Sequence, residues 1–110
     1  MSIDKISYVR SKKLLQASKD QPCVNCGAQG TTVGAHLQGM RAHAFGKGRG
    51  IKAHDFCVAD LCMKCHSKFD SYEATAGKNL QLQVDHSEQF LYCVLKTIER
   101  RFKDGVIKVA

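Results

Sequence analysis

A chain of 110 residues with 44% hydrophobic content and 17 basic against 10 acidic side chains reads as one α+β domain whose core alone would hold it only marginally. No run is long and apolar enough for a membrane span, and the first twenty residues lack the apolar stretch of a secretory signal. Both features exclude a membrane protein and point to the cytoplasm, where six cysteines are metal ligands sooner than disulfides. The formal charge of +7 would remain about +5 after four thiolates and one Zn2+ add two negative charges, which still favours a polyanionic partner through counterion release.

In chain order, residues 3–19 (IDKISYVRSKKLLQASK) predict a short basic helix within an N-terminal segment 1–20, with Leu14 and Leu15 as its buried contacts. Pro22 stands directly before CVNCG, a tight turn in which Gly27 can take a positive φ. TTVGAHL (31–37) is β-branched at its start and predicts a strand ending near His36. A loop over 38–54 interleaves Gly39, Gly46, Gly48 and Gly50 with Arg41, Lys47, Arg49 and Lys52. DFCVADL predicts a second strand, leading into a helix from Cys62. From Asp85 onward, Phe90, Val94, Ile98 and Phe102 recur every fourth residue with Leu91 and Leu95 beside them, an amphipathic packing helix. Asp85 with Glu88 resembles a capping box, Arg100, Arg101 and Lys103 suit the negative end of the helix dipole, and Gly105 can stop the helix. VIKVA is then a short closing strand, so that 85–110 packs against a core spanning 21–73.

Cys23 and Cys26 form one CxxC and Cys62 and Cys65 another, the soft tetrathiolate set that zinc takes tetrahedrally in structural sites. With 35 residues between them (27 to 61), such a site would clamp a knuckle, a hairpin and a helix start, which is a treble-clef arrangement. Cys57 and Cys93 lack a partner at matching spacing and read as small buried hydrophobes. Positions on a helix turn by about 100° per residue, so if Cys62 and Cys65 face zinc, His66 points elsewhere. Asp70 then lies on the same side as His66, a pair suited either to a harder cation or to a surface hydrogen bond. If the clamp forms, the strand ending in AHL brings His36 toward His66, and the glycine-rich basic loop borders the cleft between them. A neutral imidazole can deprotonate a water there, while a divalent cation opposite stabilises charge on a phosphate. His54, adjacent to Asp55, could hydrogen-bond it or ligate metal; His43 could touch phosphate or remain solvated; His86 reads as a surface residue at a helix start. The loop is long enough to suggest a phosphate-backbone contact, with Phe45 anchoring it to the core or wedging against a base.

PCVNCG, then GAHL at a strand end, then the basic loop, then an aspartate seven residues before the first cysteine of LCMKCH together resemble the HNH, or ββα-metal, nucleases. They are most similar to the small prophage-encoded YbcO-like nucleases, over roughly residues 10–73, with a weaker echo in DGVIKVA. The resemblance implies a metal-dependent endonuclease in a bacterial or phage-infected host, acting on DNA or alternatively RNA. It implies His36 as general base and His66 as ligand of a catalytic Mg2+ or other divalent cation. Cys23, Cys26, Cys62 and Cys65 would be the structural Zn2+ site, and Asp55 would orient the base or help with metal. Ala35 stands where many of these enzymes place a metal ligand, and Cys57 where many have asparagine, so Asp55, Asp60 and Asp70 all remain candidates. Arg41, Lys47, Arg49 and Lys52 would contact the nucleic-acid backbone. Double-strand cleavage would take a homodimer or two successive events. The alternatives are a non-catalytic zinc module that binds nucleic acid, or an adaptor whose C-terminal helix presents an apolar stripe at 90–102 to a protein partner.

Overall fold

The computed structural model describes residues 8–38, 40–76 and 79–109, with the side chains of 40–41 and 72–76 outside the description. The described residues form a small α+β fold with a two-stranded sheet and three α-helices. Helix α1 covers Lys12–Gln16, where Ser11 is extended and its hydroxyl accepts from the Leu14 amide at 3.2 Å. The expected helix over 3–19 is therefore much shorter where it is described, and residues 3–7 lie outside the described part. Tyr8 to Ser11 are non-helical because their backbone is engaged elsewhere: the Val9 amide donates to His54 Nδ1, the Asp55 amide to the Val9 carbonyl, and the Ser11 amide to the Asp55 carboxylate.

After the Cys23–Gly27 knuckle, strand β1 (Val33–His36) pairs antiparallel with β2 (Val58–Leu61), in the register Val33↔Leu61, Gly34↔Asp60, Ala35↔Ala59 and His36↔Val58. A lone two-stranded ribbon is marginal in water. Here β2 is buried along its whole length, and helix α3 (Leu80–Lys103) lies against it. Gly34 permits the close approach of the segment after α1, since a Cβ there would stand 3.1 Å from Ser18 Oγ.

The loop over 38–54 has structure of its own. Met40–Phe45 form a 3-10 helix, and Gly48 and Ile51 exchange two backbone hydrogen bonds of 3.0 Å around a tight turn with Arg49 and Gly50 at its tip. Phe45 anchors this segment through its carbonyl, which accepts from the His54 amide at 2.8 Å, while its side chain is exposed. Gly46, at φ +90, is required because a Cβ there would meet His54 Cε1 at 2.8 Å.

Helix α2 (Met63–Ala76) begins one residue after Cys62, whose carbonyl accepts from the His66 amide. Helix α3 starts earlier than the capping box at Asp85 suggests. Asn79 is its N-cap, accepting from the Leu82 amide, and Asp85 sits within the helix and accepts from Gln81 Nε2 at 2.8 Å. LQLQV has no helix breaker, so nothing stops propagation back to Asn79. Gly105, at φ +74, follows the C-terminus as expected. The segment from Val106 does not form a strand: the amides of Val106 and Ile107 both return to the Arg101 carbonyl, which caps the helix.

The core gathers Ala35, Ala59 and Leu61 of the sheet, three of the paired cysteines, and Phe90, Cys93 and Val94 of α3. Ile98 packs at its margin, whereas Leu91, Leu95 and Phe102 are about half exposed. The inward face of α3 is thus narrower than the sequence stripe, because β2 offers only four residues to cover. Asp60 is fully buried beneath α3. It accepts from Arg100 at 2.8 Å and lies 3.8 Å from the buried Arg101, and its amide donates to Thr97 Oγ1.

Candidate functional site

The two CxxC motifs converge. The four thiol sulfurs of Cys23, Cys26, Cys62 and Cys65 all lie within 4.8 Å of one another, and those of Cys26 and Cys62 are 3.6 Å apart. A tetrahedral zinc with sulfurs at about 2.3 Å places its ligands about 3.8 Å from each other, so the spacing and the donor chemistry both fit such an ion. The knuckle is built to receive it: the Gly27 amide bonds the Cys23 carbonyl, and the Val24 amide bonds Asp60 of β2, which sets the knuckle beside the start of α2. Burial opposes charge on Cys23, yet the amides of Cys62, Cys26 and Asn25 directed at it outweigh that cost and bring its thiol down to about 7. Burial and the neighbouring thiols push Cys65 up to about 12. Four thiolates this close need a cation to coexist. Cys57 and Cys93 stay outside the cluster as buried thiols, each raised to about 11, chiefly by desolvation.

On the other side of α2's first turn lies a second constellation. His36, at the end of β1, bonds through Nε2 to Asp55 Oδ1 at 2.9 Å. The other Asp55 oxygen accepts from the Ser11 amide at 2.7 Å, and Arg10 approaches the carboxylate at 3.4 Å. Burial would raise the Asp55 pKa. The bonds from His36 and the Ser11 amide, with the charges of His36 and Arg10, outweigh it and hold this carboxyl below its ordinary range. An ionised Asp55 can only accept, so Nε2 carries the hydrogen of this bond, and in the corresponding neutral tautomer the lone pair is on Nδ1.

His36 and His66 border one cavity of about 410 Å³, whose wall includes Gln38, Lys47, Ile51 and Lys52. His66 Nε2 stands 3.5 Å from Asp70 Oδ2, and Gln38 donates to the other Asp70 oxygen at 2.7 Å. An imidazole and a carboxylate at that separation are within the span of two ligands about 2.1 Å from one hard cation. Among the described residues the four cysteines are the only group of three or more metal-ligating side chains brought together, so a cation at His66 would take further oxygens from water or ligand. Of the three candidate aspartates, Asp55 belongs to His36, Asp70 to His66, and Asp60 to the arginines of α3. Lys47 and Lys52 line the cavity; Arg49 is exposed at the turn tip outside its wall, and the side chain of Arg41 lies outside the described residues.

The remaining histidines are structural or peripheral. His54 does not reach Asp55 with its ring; it accepts from the Val9 amide at 3.1 Å and stacks on Phe56 at 5.5 Å. His43 Nδ1 donates to the Lys47 carbonyl at 3.0 Å, and His86 packs against Phe69.

Residues 1–96 match the model of a family described as a protein of unknown function, DUF968. The chain belongs to that family. No curated protein and no solved structure matches it. Within this family member, sequence reasoning overlooked Arg10, whose guanidinium also bonds the carbonyls of Ala53 and Lys52 at 2.7 and 2.8 Å and so fixes the cavity wall to the N-terminal segment. It also overlooked Asn25, which donates to Cys65 Sγ at 3.3 Å and accepts from Gln89 of α3 at 2.9 Å. Asn25 lay between two ligand cysteines and was open to inspection. Nothing local marked Arg10, whose partners stand more than forty residues away.

Proposed function

We propose that this protein is a metal-dependent endonuclease of the HNH, or ββα-metal, type: a zinc-stapled treble clef that hydrolyses phosphodiester bonds in DNA. The observation that carries this reading is the His36–Asp55 pair at the edge of a lysine-lined cavity shared with His66. Asp55 fixes the Nε2–H tautomer, so Nδ1 of His36 is the atom that takes the proton from an attacking water. The neutral imidazole is restored when that proton passes to solvent. His66 and Asp70 would hold a divalent cation, which would supply electrophilic stabilisation of the phosphate and leaving oxygen. Lys47 and Lys52 hold the phosphate backbone against the pocket by charge, giving affinity without reading sequence. The four cysteines would hold zinc, which would fix the knuckle to α2 and so support the placement of the two histidines.

Plasmid nicking with Mg2+, Mn2+ or Ni2+ tests the reading, comparing wild type with His36→Ala after zinc content and helix content are shown to be equal. Metal-dependent nicking that falls by about 10²-fold or more in the variant, the range for losing a general base, is expected. DNA binding without cleavage under every metal would replace the enzyme by a non-catalytic zinc module.

A further inference from the structure

Helix α3 carries a second apolar line, exposed beside the face that packs on the core. At about 100° per residue, the buried positions Phe90, Cys93, Val94, Thr97 and Arg101 occupy one side of the helix. Val84, Leu91, Leu95 and Phe102 fall within about 40° of one another, in a line centred about 120° around the helix from the buried side. Their exposures are 57%, 49%, 56% and 45%. None of these four is needed to cover β2, and a line of exposed branched and aromatic side chains along a regular helix marks an interaction surface.

We infer that this line is an interface with a second copy of the same chain, the two α3 helices lying antiparallel. The spacings between its members are seven, four and seven residues, which is symmetric about Cys93. An antiparallel pair with its two-fold axis at that level sets Leu91 of one copy beside Leu95 of the other, and Val84 beside Phe102, at both ends at once. The same surface patch thus serves both copies, as a two-fold interface requires. Charge selects the direction. From residue 80 to 95 the charged side chains of α3 are Asp85 and Glu88; from 96 to 103, with Arg100 and Arg101 turned to Asp60, those left at the surface are Lys96 and Lys103 against the single Glu99. Glu99 is already shared between Lys96 and Lys103 of its own helix, at 3.5 and 3.6 Å. Antiparallel pairing therefore lays the acidic half of one helix over the basic half of the other. Parallel pairing would stack like on like.

The line runs over about 27 Å of helix, long enough for a continuous two-helix seam. The inference stands apart from the nuclease reading. Were both true, each particle would carry two cavities, one for each strand of a duplex.

Sedimentation equilibrium of the zinc-loaded full chain in about 0.15 M salt, where the repulsion between two basic molecules is screened beyond about 8 Å, reads the proposal directly. The expected mass is twice 12.2 kDa. Leu91→Glu should weaken self-association at least tenfold with zinc content and helicity unchanged. If that variant loses zinc or helix, Leu95→Lys takes its place, and the wild-type mass decides independently of either. Lys103→Glu should weaken the dimer several-fold, and adding Asp85→Lys should restore it. A wild-type chain that stays monomeric at every concentration, leaving the line to some other protein, would overturn the inference. So would a dimer indifferent to a charge at Leu91, or one tightened by Lys103→Glu alone, the mark of parallel pairing.

Discussion

Asp55 is 4% exposed, and each of its oxygens accepts from a donor on a different segment, His36 on β1 and the Ser11 amide before α1. Its carboxyl is held below the ordinary range, so the folded state binds a proton there less readily than the unfolded chain does. The stabilisation is complete above the unfolded value near 4 and is lost as pH falls through the lower folded value. Urea midpoints measured between neutral and strongly acid pH should therefore drop on the acid side in wild type, and Asp55→Asn should flatten that limb while lowering the plateau. An unchanged acid limb would mean that Asp55 is not ionised in the fold. Arg10 shares the carboxylate, but its side chain is 42% exposed, so its charge counts for less than the buried bonds from His36 and Ser11.

At the scale of elements, β2 is the hub: buried along its length, it is paired to β1, bonded to the knuckle and covered by α3. The cost is a buried carboxylate in the middle of the strand, offset by Arg100 and the fully enclosed Arg101, whose Nε and Nη1 have no hydrogen-bond partner among the described residues. Asp60→Ala should destabilise by about 3 kcal/mol or more, because it strands a guanidinium in the core. Thermal unfolding of the zinc-loaded protein would show it, and a change under 1 kcal/mol would mean that water reaches Arg101. The four-cysteine cluster joins the knuckle, the end of β2 and the start of α2, and loss of a metal held there should be felt in all three. Chelation is expected to abolish the cooperative transition and most of the helix signal. Because Cys65 must give up a proton held up to about 12, apparent zinc affinity should fall as pH is lowered, which competition against a chelator at several pH values would measure.

For the whole molecule, charge +7 on 110 residues is a statement about partners. The cavity concentrates it, with Lys47 and Lys52 beside the two histidines. Under the nuclease reading, DNA binding should weaken steeply as salt rises, and removing one of these lysines should reduce the slope of log K against log salt by about 1 without changing sequence preference. A slope unaffected by both substitutions would move the nucleic-acid surface elsewhere. No described helix is long and apolar enough to cross a membrane.

The sequence by itself determined the four-cysteine cluster and the elements that carry it, because CxxC spacing, a glycine at positive φ and alternating or fourfold apolar patterns are local properties of a chain. It also placed His66 off the cysteine face, since helical rotation alone decides that. Only the tertiary structure gave Asp55, Asp60 and Asp70 their separate partners, because each pairing depends on which distant segment supplies the donor: the residues around Ser11, the C-terminal arginines or Gln38. It likewise split the hydrophobic positions of α3 between a face spent on β2 and a face left to solvent. The capping signal at Asp85 and the β-like VIKVA misled for the same reason. A short motif states what a segment can do locally, and in a small protein the neighbours decide what it does.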